Sequence, residues 1–318
     1  MKYANPYSLL KVLKKAGAWE QTFLVFLTLI FVIILKNILK CCFGITESFE
    51  SGTNKNRELV VKKGVGIYDD FYSKVYDNLV FCKSKNDFEV KTIIRSTRPT
   101  QNSRILDIGS GTGHHVAAFD ENGFNAIGID ISPSMVRRAK QTYPNSKYQV
   151  GDIMKAMTFP QRSFTHITCL YFTIYYIKNK RDFFKNCYDW LTPGGYMVIH
   201  LVDRNNFDPI LPAGDPLALI SAQRYAKKRI TSTVVKFNGY DYRSNFDYKP
   251  KEDEAVMNEE FKNTKTGDVR KNEHTLYMPT QKYILSLAKD TGFIMLSQTD
   301  MMKCQYESQH LYVLQKPN

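Results

Sequence analysis

LDIGSGTGHH, spanning Leu106 to His115, is the stretch that decides the fold of this 318-residue chain. The apolar run Arg104–Ile108 predicts a short β-strand, and a helical pattern begins at His114. Between them, glycine occupies every second position, at Gly109, Gly111 and Gly113. Glycine permits both a tight strand-to-helix turn and close approach of a ligand to the backbone. The spacing therefore predicts a ligand-binding turn, with a plain connecting turn as the alternative.

The spacing of these glycines and the acid before them distinguish two classes of cofactor. A dinucleotide fingerprint reads G-x-G-x-x-G and holds a pyrophosphate on glycine N–H groups and a helix N-terminus. Here the spacing is G-x-G-x-G, and Asp107 stands two residues before the first glycine. A carboxylate there disfavours a pyrophosphate but can pair with a cationic amino group. S-adenosylmethionine carries an ammonium and a sulfonium and no phosphate, so the pattern indicates this cofactor in preference to NAD.

Strands and helices alternate after Pro99. Apolar runs predict five strands, at Arg104–Ile108, Ala126–Ile129, Lys147–Val150, His166–Leu170 and Tyr196–Val202. Helical patterns lie between them at His114–Asn122, Pro133–Thr142 and Asp182–Trp190. Ser132 and Pro133 form a sound helix start, with serine as the N-cap and proline at the first helical position. Strands separated by helices predict an α/β fold with a parallel sheet covered on both faces.

Two further acids follow the second and third of these strands. Asp130 ends the second strand, where a carboxylate can accept both ribose hydroxyls in either cofactor class. Asp152 lies just after the third strand and can accept from an adenine amino group, or it can instead cap a helix. Open α/β sheets bind ligands at the carboxyl ends of their strands, so we expect both acids at one site.

Further elements flank this series. Helices are predicted at Ile67–Leu79 and at Asp87–Ser96. Past Asp203, alternating Thr, Val, Tyr and Phe predict antiparallel strands, arranged as two hairpins, over Val234–Tyr248 and Ala255–Met278. The chain then returns to a helix at Thr280–Asp290 and to strands at Phe293–Thr299 and Leu311–Leu314.

At these residues the chain resembles the class I, Rossmann-like methyltransferases. LDIGSGTG is similar to their first motif, GIDISPSMV (residues 128–136) to the second and GDI (151–153) to the third. YFTIYYI (171–177) and LTPGGYMVI (191–199) resemble the end of strand four and the approach to strand five. The resemblance covers about Ile67 to Gln315. It implies S-adenosylmethionine as cofactor and a seven-stranded sheet whose last two strands are antiparallel, but it is not specific for a substrate.

The expected cofactor contacts come from strand ends and from the first helix. Tyr68, on that helix, is placed to close over the cofactor, where a tyrosine near the sulfonium would contribute roughly 0.5–2 kcal/mol. Packing on an apolar helix face is the alternative for this side chain. The predicted contacts are Asp107, Gly109, Ser110, Gly111, Gly113, Asp130, Ile131, Asp152, Ile153, Leu170 and Tyr68.

Methyl transfer mainly requires that the acceptor be positioned, and a general base is needed only if the acceptor arrives protonated. The candidate catalytic residues are Tyr171, Tyr175, Asp203 and His274. Core packing is the alternative for the two tyrosines, and a plain polar strand position is the alternative for His274. A weaker resemblance to methyltransferases of small molecules implies that a β-rich insert after strand five, about residues 204–278, covers the active site.

An uncharged run near the N-terminus predicts a membrane anchor over residues 1–45. Thr22–Leu35 reads TFLVFLTLIFVIIL, which is shorter than the roughly 17–25 residues of a spanning helix, but apolar residues up to 43 lengthen it. We expect residues 22–43 to be a single-pass or monotopic anchor; a cleaved signal peptide and a buried core helix are the alternatives. Lysines flank both ends, so the positive-inside rule leaves the orientation open, with a cytosolic domain favoured. A linker at 46–59 and a methyltransferase domain at 60–318 complete the predicted organisation.

The net charge and the cysteine content limit the kinds of partner and ligand that we expect for this protein. The net charge of +13 suits a basic surface near an anionic membrane, with nucleic acid as the alternative. No N-P-P-[YF] motif follows strand four, where Leu170-Tyr171-Phe172 stands, which argues against an RNA base amine as acceptor. The six cysteines form no C-x-x-C pair, so we expect no metal site. The predicted acceptor is a small molecule or lipid; the alternatives are a non-catalytic membrane-anchored scaffold with this fold, or an RNA or protein methyltransferase.

Overall fold

The computed structural model describes residues 58–212, 226 and 228–318, together with Gly17, Trp19, Phe26 and Thr28. The chain divides into two compact units, Met1–Lys55 and Asn56–Asn318. Apart from Phe26 and Thr28, the anchor predicted at 22–43 lies outside the described residues, as does nearly all of the predicted linker. Within the described part of the chain, no helix combines the length and apolar character needed to cross a bilayer.

The second unit contains two sheets and the helices that cover them. Its strands are β1 (Leu59–Lys63), β2 (Arg104–Ile108), β3 (Asn125–Asp130), β4 (Lys147–Val150), β5 (Phe164–Cys169), β6 (Leu191–Val202), β7 (Ser232–Phe237), β8 (Tyr240–Lys249), β9 (Glu254–Asn263), β10 (Val269–Tyr277), β11 (Ile294–Asp300) and β12 (Gln309–Gln315). Its α-helices are α1 (Asp70–Val80), α2 (Lys83–Thr97), α3 (His114–Glu121), α4 (Pro133–Thr142), α5 (Thr173–Tyr176), α6 (Lys180–Trp190) and α7 (Gln281–Thr291).

Seven strands form a mixed sheet in the order β11-β12-β6-β5-β2-β3-β4. The five strands from β6 to β4 pair in parallel, and β12 runs antiparallel to both β6 and β11. The predicted seven-stranded α/β sheet with an antiparallel final pair is therefore confirmed. Central strands of such a sheet are buried on both faces, which is why RILDI of β2 and FTHITC of β5 are almost continuously buried.

Successive residues of the central strands enter different cores, because side chains along a strand alternate between its faces. Leu106 belongs to a core built with α6 and α7, whereas Ile105 belongs to a core built with α2, α3 and α4. The first core contains Trp190 and Phe183, both almost fully buried. Helices therefore cover both faces of the sheet and leave its strand ends open to form a site.

A second sheet of five strands has the order β1-β10-β9-β8-β7. Strands β7 to β10 are antiparallel neighbours, and β1 adds to β10 in parallel, with Leu59 opposite Val269. A third core joins this sheet to α1, through Tyr72 and Leu79 on the helix and Tyr242 and Phe261 on the strands. The helix that the sequence placed beside the cofactor is thus held by the second sheet.

Two elements were missed by the sequence patterns, and several boundaries are shifted. Neither β1 nor the short helix α5 was predicted. Helix α2 begins at Lys83, four residues earlier than predicted, and β6 begins at Leu191, five residues earlier. Helix α1 begins at Asp70, three residues later than predicted, because the Asp69 carboxylate caps it by accepting from the Tyr72 N–H at 3.1 Å.

Candidate active site

A cavity of 680 Å³ opens at the carboxyl ends of the parallel strands. One part of its wall is the glycine loop with Asp130 and Asp152. The other part is aromatic, with residues from α1, from the segments after β5 and β6, from the second sheet and from the loop before β12: Tyr72, Tyr76, Tyr171, Phe172, Tyr176, Phe207, Phe246, Tyr277 and Tyr306. Tyr68 also lines the cavity, but it lies just before α1 and not on that helix as predicted, because the helix begins at Asp70. A single space therefore connects the loop with an aromatic compartment.

The glycine loop is fastened to β3 by its own backbone. The N–H groups of Gly109 and Ser110 both donate to the Ile129 carbonyl, at 2.8 and 3.1 Å, and the Gly111 N–H donates to Asp130 Oδ2 at 2.9 Å. Gly109 has φ +67°, and a Cβ added there would lie 2.5 Å from the side chain of Thr173. Only glycine fits this position without displacing its neighbours.

Asp130 lies at the end of β3, as predicted, and lines the cavity. Its carboxylate accepts from the N–H groups of Gly111 and Ser132, at 2.9 Å each. Burial raises the pKa of this carboxyl in spite of both bonds. Asp130 therefore fixes the loop while its remaining lone pairs can accept from a ligand hydroxyl.

Asp107 lines a smaller cavity of 80 Å³ on the other side of the loop. It is buried, and the Thr168 hydroxyl donates to it at 2.7 Å. Burial raises the pKa of the Asp107 carboxyl. Ser110 Oγ and Asn86 Oδ1, which also belong to residues lining this space, are buried without a hydrogen-bond partner. Buried polar atoms are rarely left unpaired, so this small cavity fits the polar amino-acid end of S-adenosylmethionine.

A buried ionic cluster beneath the small cavity was missed by the sequence analysis. Lys85 forms a salt bridge with Glu89 one helical turn away, and His115 Nε2 lies 2.9 Å from the other oxygen of Glu89. Burial alone would raise the pKa of Glu89, but the charges of Lys85 and His115 outweigh it and lower the pKa to about 2. The i, i+4 spacing of Lys85 and Glu89 was the available signal, although such pairs usually lie on solvated helix faces.

The other predicted cofactor contacts occupy different parts of the two cavities. Asp152, whose carboxylate accepts from the Met154 N–H at 2.9 Å, lines the large cavity with Ile153 and with Ile131, which is half-exposed. Leu170 is buried and lines only the small cavity. Gly113 faces neither cavity; its φ is +93°, and a Cβ there would lie 2.6 Å from the Tyr148 hydroxyl.

The four catalytic candidates separate into two groups. Tyr171 lines both cavities and has φ +53°, a strained conformation for tyrosine that a hydrogen bond from His200 Nδ1 to its carbonyl supports at 2.7 Å. Tyr175 is fully buried in the core, where its hydroxyl accepts from the Val202 N–H at 2.8 Å.

Asp203 does not line either cavity, and its carboxylate accepts from the Asn205 N–H and the Asn206 side-chain amide. His274 is buried behind Tyr176, with Nδ1 2.9 Å from the Tyr176 hydroxyl. Tyr171 therefore lines the cavity itself, and His274 is connected to the cavity through Tyr176. Tyr175 and Asp203 make only local structural contacts.

Glu259 is a further residue that the sequence analysis missed. It is 2% exposed, and its carboxylate accepts from four side chains on three elements: Tyr72, Tyr242, Asn272 and His274. This carboxylate links α1 to the second sheet immediately behind the aromatic compartment. Among the described residues, no cluster of His, Cys, Asp or Glu side chains has the arrangement of a metal site.

Comparison with known proteins agrees with this geometry. Residues 106–199 match the family model described as methyltransferase domain. Phosphoethanolamine N-methyltransferase of Plasmodium falciparum is 30% identical over 142 residues, which are 43% of this chain and 51% of the relative. An amino-sugar enzyme of Saccharopolyspora spinosa, dTDP-4-amino-2,3,4,6-tetradeoxy-D-glucose N,N-dimethyltransferase, is 28% identical over 140 residues, 42% of this chain and 55% of that enzyme. The chain thus spans about half the length of the curated relatives it matches.

The fold is shared with solved methyltransferases. The S-adenosylmethionine-bound structure of CalS10, an amino pentose methyltransferase from Micromonospora echinaspora, superposes with a TM-score of 0.55 at 19% identity and covers 77% of this chain and 96% of its own. The matched domain begins inside β2 and ends inside β6, so it contains the glycine loop, Asp130 and Asp152. Residues 106–199 of the chain therefore form a methyltransferase domain, on the fold that solved S-adenosylmethionine-dependent methyltransferases share.

Proposed function

We propose that the protein transfers a methyl group from S-adenosylmethionine to the nitrogen of a small-molecule amine. The observation that carries the proposal is the 680 Å³ cavity, which joins the glycine loop to an aromatic compartment without an intervening wall. A cavity of this size accommodates a small ligand beside the reactive end of the cofactor. In-line displacement requires such a shared space, because the acceptor atom must approach the methyl carbon from the side opposite the sulfur.

The residues around the loop suit the two ends of S-adenosylmethionine. Asp130 and Asp152 can accept from the ribose hydroxyls and the adenine amino group, and Asp107 can accept from the ammonium of the methionine end. The cofactor supplies a methyl group already activated by a sulfonium. The protein's own contribution is then to orient the acceptor and to exclude water, which can supply on the order of 7–11 kcal/mol.

An amine acceptor is supported by the character of the second compartment. Seven tyrosines line the cavity, and the faces of aromatic rings attract cations such as alkylammonium groups. Both curated relatives described above are named as N-methyltransferases, and the CalS10 structure is named as an amino pentose methyltransferase. These names support nitrogen as the acceptor atom.

The second sheet covers the acceptor compartment in this proposal. Phe246 on β8, Met257 on β9 and Thr275 on β10 contribute to the cavity wall. A β-rich insert in this position would shield the reacting atoms from water and select the acceptor by shape. We further propose that residues 22–43 hold the protein at a membrane, with the catalytic domain in the cytosol; the uncharged run Thr22–Leu35 is the support for this.

The proposal is tested by incubating the full-length protein with methyl-labelled S-adenosylmethionine and separate candidate acceptors. The panel contains small primary and secondary amines, the matching alcohols, a lipid extract and total RNA. We expect label in the amines and none in the alcohols, and calorimetry should show binding of S-adenosylmethionine and none of NAD. Label confined to lipid or RNA would overturn the amine proposal, and cofactor binding without transfer to any acceptor would favour a scaffold function.

A further inference from the structure

Three side chains form a hydrogen-bonded series that ends in the wall of the large cavity. Glu259 Oε2 lies 2.7 Å from His274 Nε2, and His274 Nδ1 lies 2.9 Å from the Tyr176 hydroxyl. The side chains of Glu259 and His274 are fully buried, whereas Tyr176 lines the cavity. The three residues come from β9, β10 and α5, so the series crosses from the second sheet to the end of β5.

Glu259 is the charged end of the series. Burial alone would raise the pKa of its carboxyl, but the interaction with His274 and the hydrogen bonds from His274, Asn272 and Tyr242 outweigh it and lower the pKa. Tyr72 and Tyr242 both donate to Oε1, at 3.0 and 2.7 Å, and Asn272 donates to Oε2 at 2.9 Å. A buried carboxylate with four donors remains ionised and can only accept.

The charge of Glu259 determines the hydrogen positions on His274. Because the carboxylate accepts, Nε2 of a neutral His274 must carry the ring hydrogen. Nδ1 then has a free lone pair and accepts the hydroxyl hydrogen of Tyr176. The Tyr176 oxygen also accepts from the Tyr68 hydroxyl and keeps one lone pair for a donor in the cavity, which is the arrangement of a base that is oriented from behind.

We infer that Tyr176 removes a proton from the acceptor ammonium and that His274, held by Glu259, receives the phenolic proton in the same step. This inference rests on the proposed function, because an amine that enters as an ammonium has no lone pair to attack with. The ammonium N–H proton passes to the Tyr176 oxygen while the Tyr176 hydroxyl proton passes to His274 Nδ1. The products are a neutral amine, an intact tyrosine and an imidazolium beside the Glu259 carboxylate.

The methyl transfer that follows needs no further reactant. The nitrogen lone pair forms the N–C bond to the methyl carbon as the C–S bond breaks. The electron pair of the C–S bond stays on the sulfur, which becomes a neutral thioether. The methylated amine carries the positive charge that the sulfonium loses. The imidazolium later returns its proton to solvent.

Among the described residues, the groups around His274 identify which side chain can act as the base. The titratable groups that face it are the Tyr68 and Tyr72 rings, at 6.1 and 5.9 Å between centroids, besides Tyr176 and Glu259 themselves. Burial raises the pKa of Tyr68, Tyr72 and Tyr176 alike, so all three phenols are protonated at rest, and the contact with His274 Nδ1 is what gives the Tyr176 proton a place to go. Tyr176 is then the catalytic residue of the series, and His274 and Glu259 are positioning residues.

The inference is tested with two amines of similar size, ethylamine and trifluoroethylamine. At neutral pH the nitrogen of ethylamine is protonated, whereas that of trifluoroethylamine is largely neutral and needs no base. We expect Tyr176→Phe and His274→Gln to lower kcat/KM for ethylamine by roughly a hundredfold or more, the typical contribution of a general base. The same variants should lower kcat/KM for trifluoroethylamine much less, and calorimetry should show unchanged affinity for S-adenosylmethionine.

Tyr175→Phe is the matched control, because it removes a hydroxyl from the neighbouring tyrosine, which lies in the core and outside the cavity. It should leave the ratio of the two kcat/KM values at the wild-type level. Equal losses for both amines in the Tyr176 and His274 variants would show that the series only shapes the pocket, and the inference would be wrong.

A measurement on the free protein separates this inference from the proposed function. In ¹⁵N-histidine spectra of the full-length chain, with the His274 signals assigned by their loss in His274→Gln, we expect the Nε2–H tautomer. Glu259→Gln should weaken that preference. An Nδ1–H tautomer would overturn the relay whether or not an amine is methylated. If the expected tautomer is seen and no amine accepts label, the proposed function fails and the hydrogen-bonded series stands as a structural feature.

Discussion

The cofactor side and the acceptor side of the cavity are built over very different distances along the chain. On the cofactor side, Asp130 is 19 residues from Gly111 and two residues from Ser132, the partners that it holds. On the acceptor side, Tyr176 is 98 residues from His274, and Tyr72 is 187 residues from Glu259. The first side is made of backbone N–H groups and carboxylates at the strand ends, and the second of side chains that meet only when two sheets have formed.

This difference explains why the two sides respond to substitution in different ways. A loop whose backbone groups are fixed by their neighbours fails when a side chain enters it. A cluster of side chains assembled from distant elements can lose one member and keep its fold, because each remaining member is still held by its own strand or helix. The predictions below compare the effects of changes in different parts of the molecule.

The largest effect is expected at Gly109. Gly109→Ala should lower the free energy of unfolding by about 4 kcal/mol, from the left-handed backbone of alanine and from overpacking against Thr173. Gly111→Ala is the matched control, since its φ is also positive at +53° but its added Cβ would meet only Tyr76, at 3.8 Å. Urea unfolding measures both variants. Equal losses would contradict the steric role of Thr173.

The buried carboxylate of Glu89 is expected to make stability depend on acid pH. Its pKa in the folded protein is about 2, below its ordinary 4.5, so its stabilising contribution is complete above pH 4.5 and is lost as the pH falls toward 2. The difference in free energy of unfolding between the wild type and Glu89→Gln should therefore shrink over this interval, by about 3 kcal/mol. Glu260→Gln, at a half-exposed acid, is the control. A constant difference across the interval would contradict the prediction.

A smaller effect is expected when Asp130 is replaced. Asp130→Ala should weaken binding of S-adenosylmethionine by roughly 1.5–3 kcal/mol, the range for a hydrogen bond to a charged group. Asp203→Ala removes an acid that lies outside both cavities and should bind the cofactor as the wild type does. Calorimetry compares the two. Wild-type affinity in Asp130→Ala would mean that the cofactor does not contact this carboxylate.

The smallest effect is expected from removing residues 1–55. The second unit begins at Asn56, and both sides of the cavity lie within it, so affinity for S-adenosylmethionine should not change. Carbonate extraction of membranes, with and without these residues, tests the proposed anchor at the same time. Loss of cofactor binding on truncation would show that the first unit contributes to the site.

Sequence patterns sufficed for the cofactor side because its geometry is local. The strand that ends at Asp130, the Ser132 cap and the glycine spacing all lie within one short segment, and the structure places them as expected. The acceptor side was not accessible in this way. Glu259 and Glu260 are adjacent on β9 and point to opposite faces, one fully paired and buried and the other half-exposed beside Lys271. Two adjacent acids show no alternation of apolar and polar residues, so the sequence does not indicate which of them is buried. Only the pairing of the strands shows it.

Similar ambiguity applied to the tyrosines after β5. Tyr175 and Tyr176 are neighbours of identical chemistry, and one enters the core while the other reaches the cavity. Which tyrosine enters the core depends on the short helix α5. This helix has only four residues, too few for a periodic pattern to predict it. His274 was a candidate because of its residue type, and its connection to the cavity through Tyr176 became visible only with the register of β9 and β10.

The pairing of β1 with β10 has a consequence for the order of events during synthesis. Leu59 pairs with Val269, so the first strand of the domain leaves the ribosome long before its partner exists. At about 5–20 residues per second, the 210 residues between them take roughly 10–40 seconds to appear. The segment that contains the glycine loop is complete well within that interval and can collapse first. The parallel strands β2 to β6 are therefore available for pairing before the second sheet can close on β1, whereas β11 and β12, which complete the seven-stranded sheet, emerge only after β10.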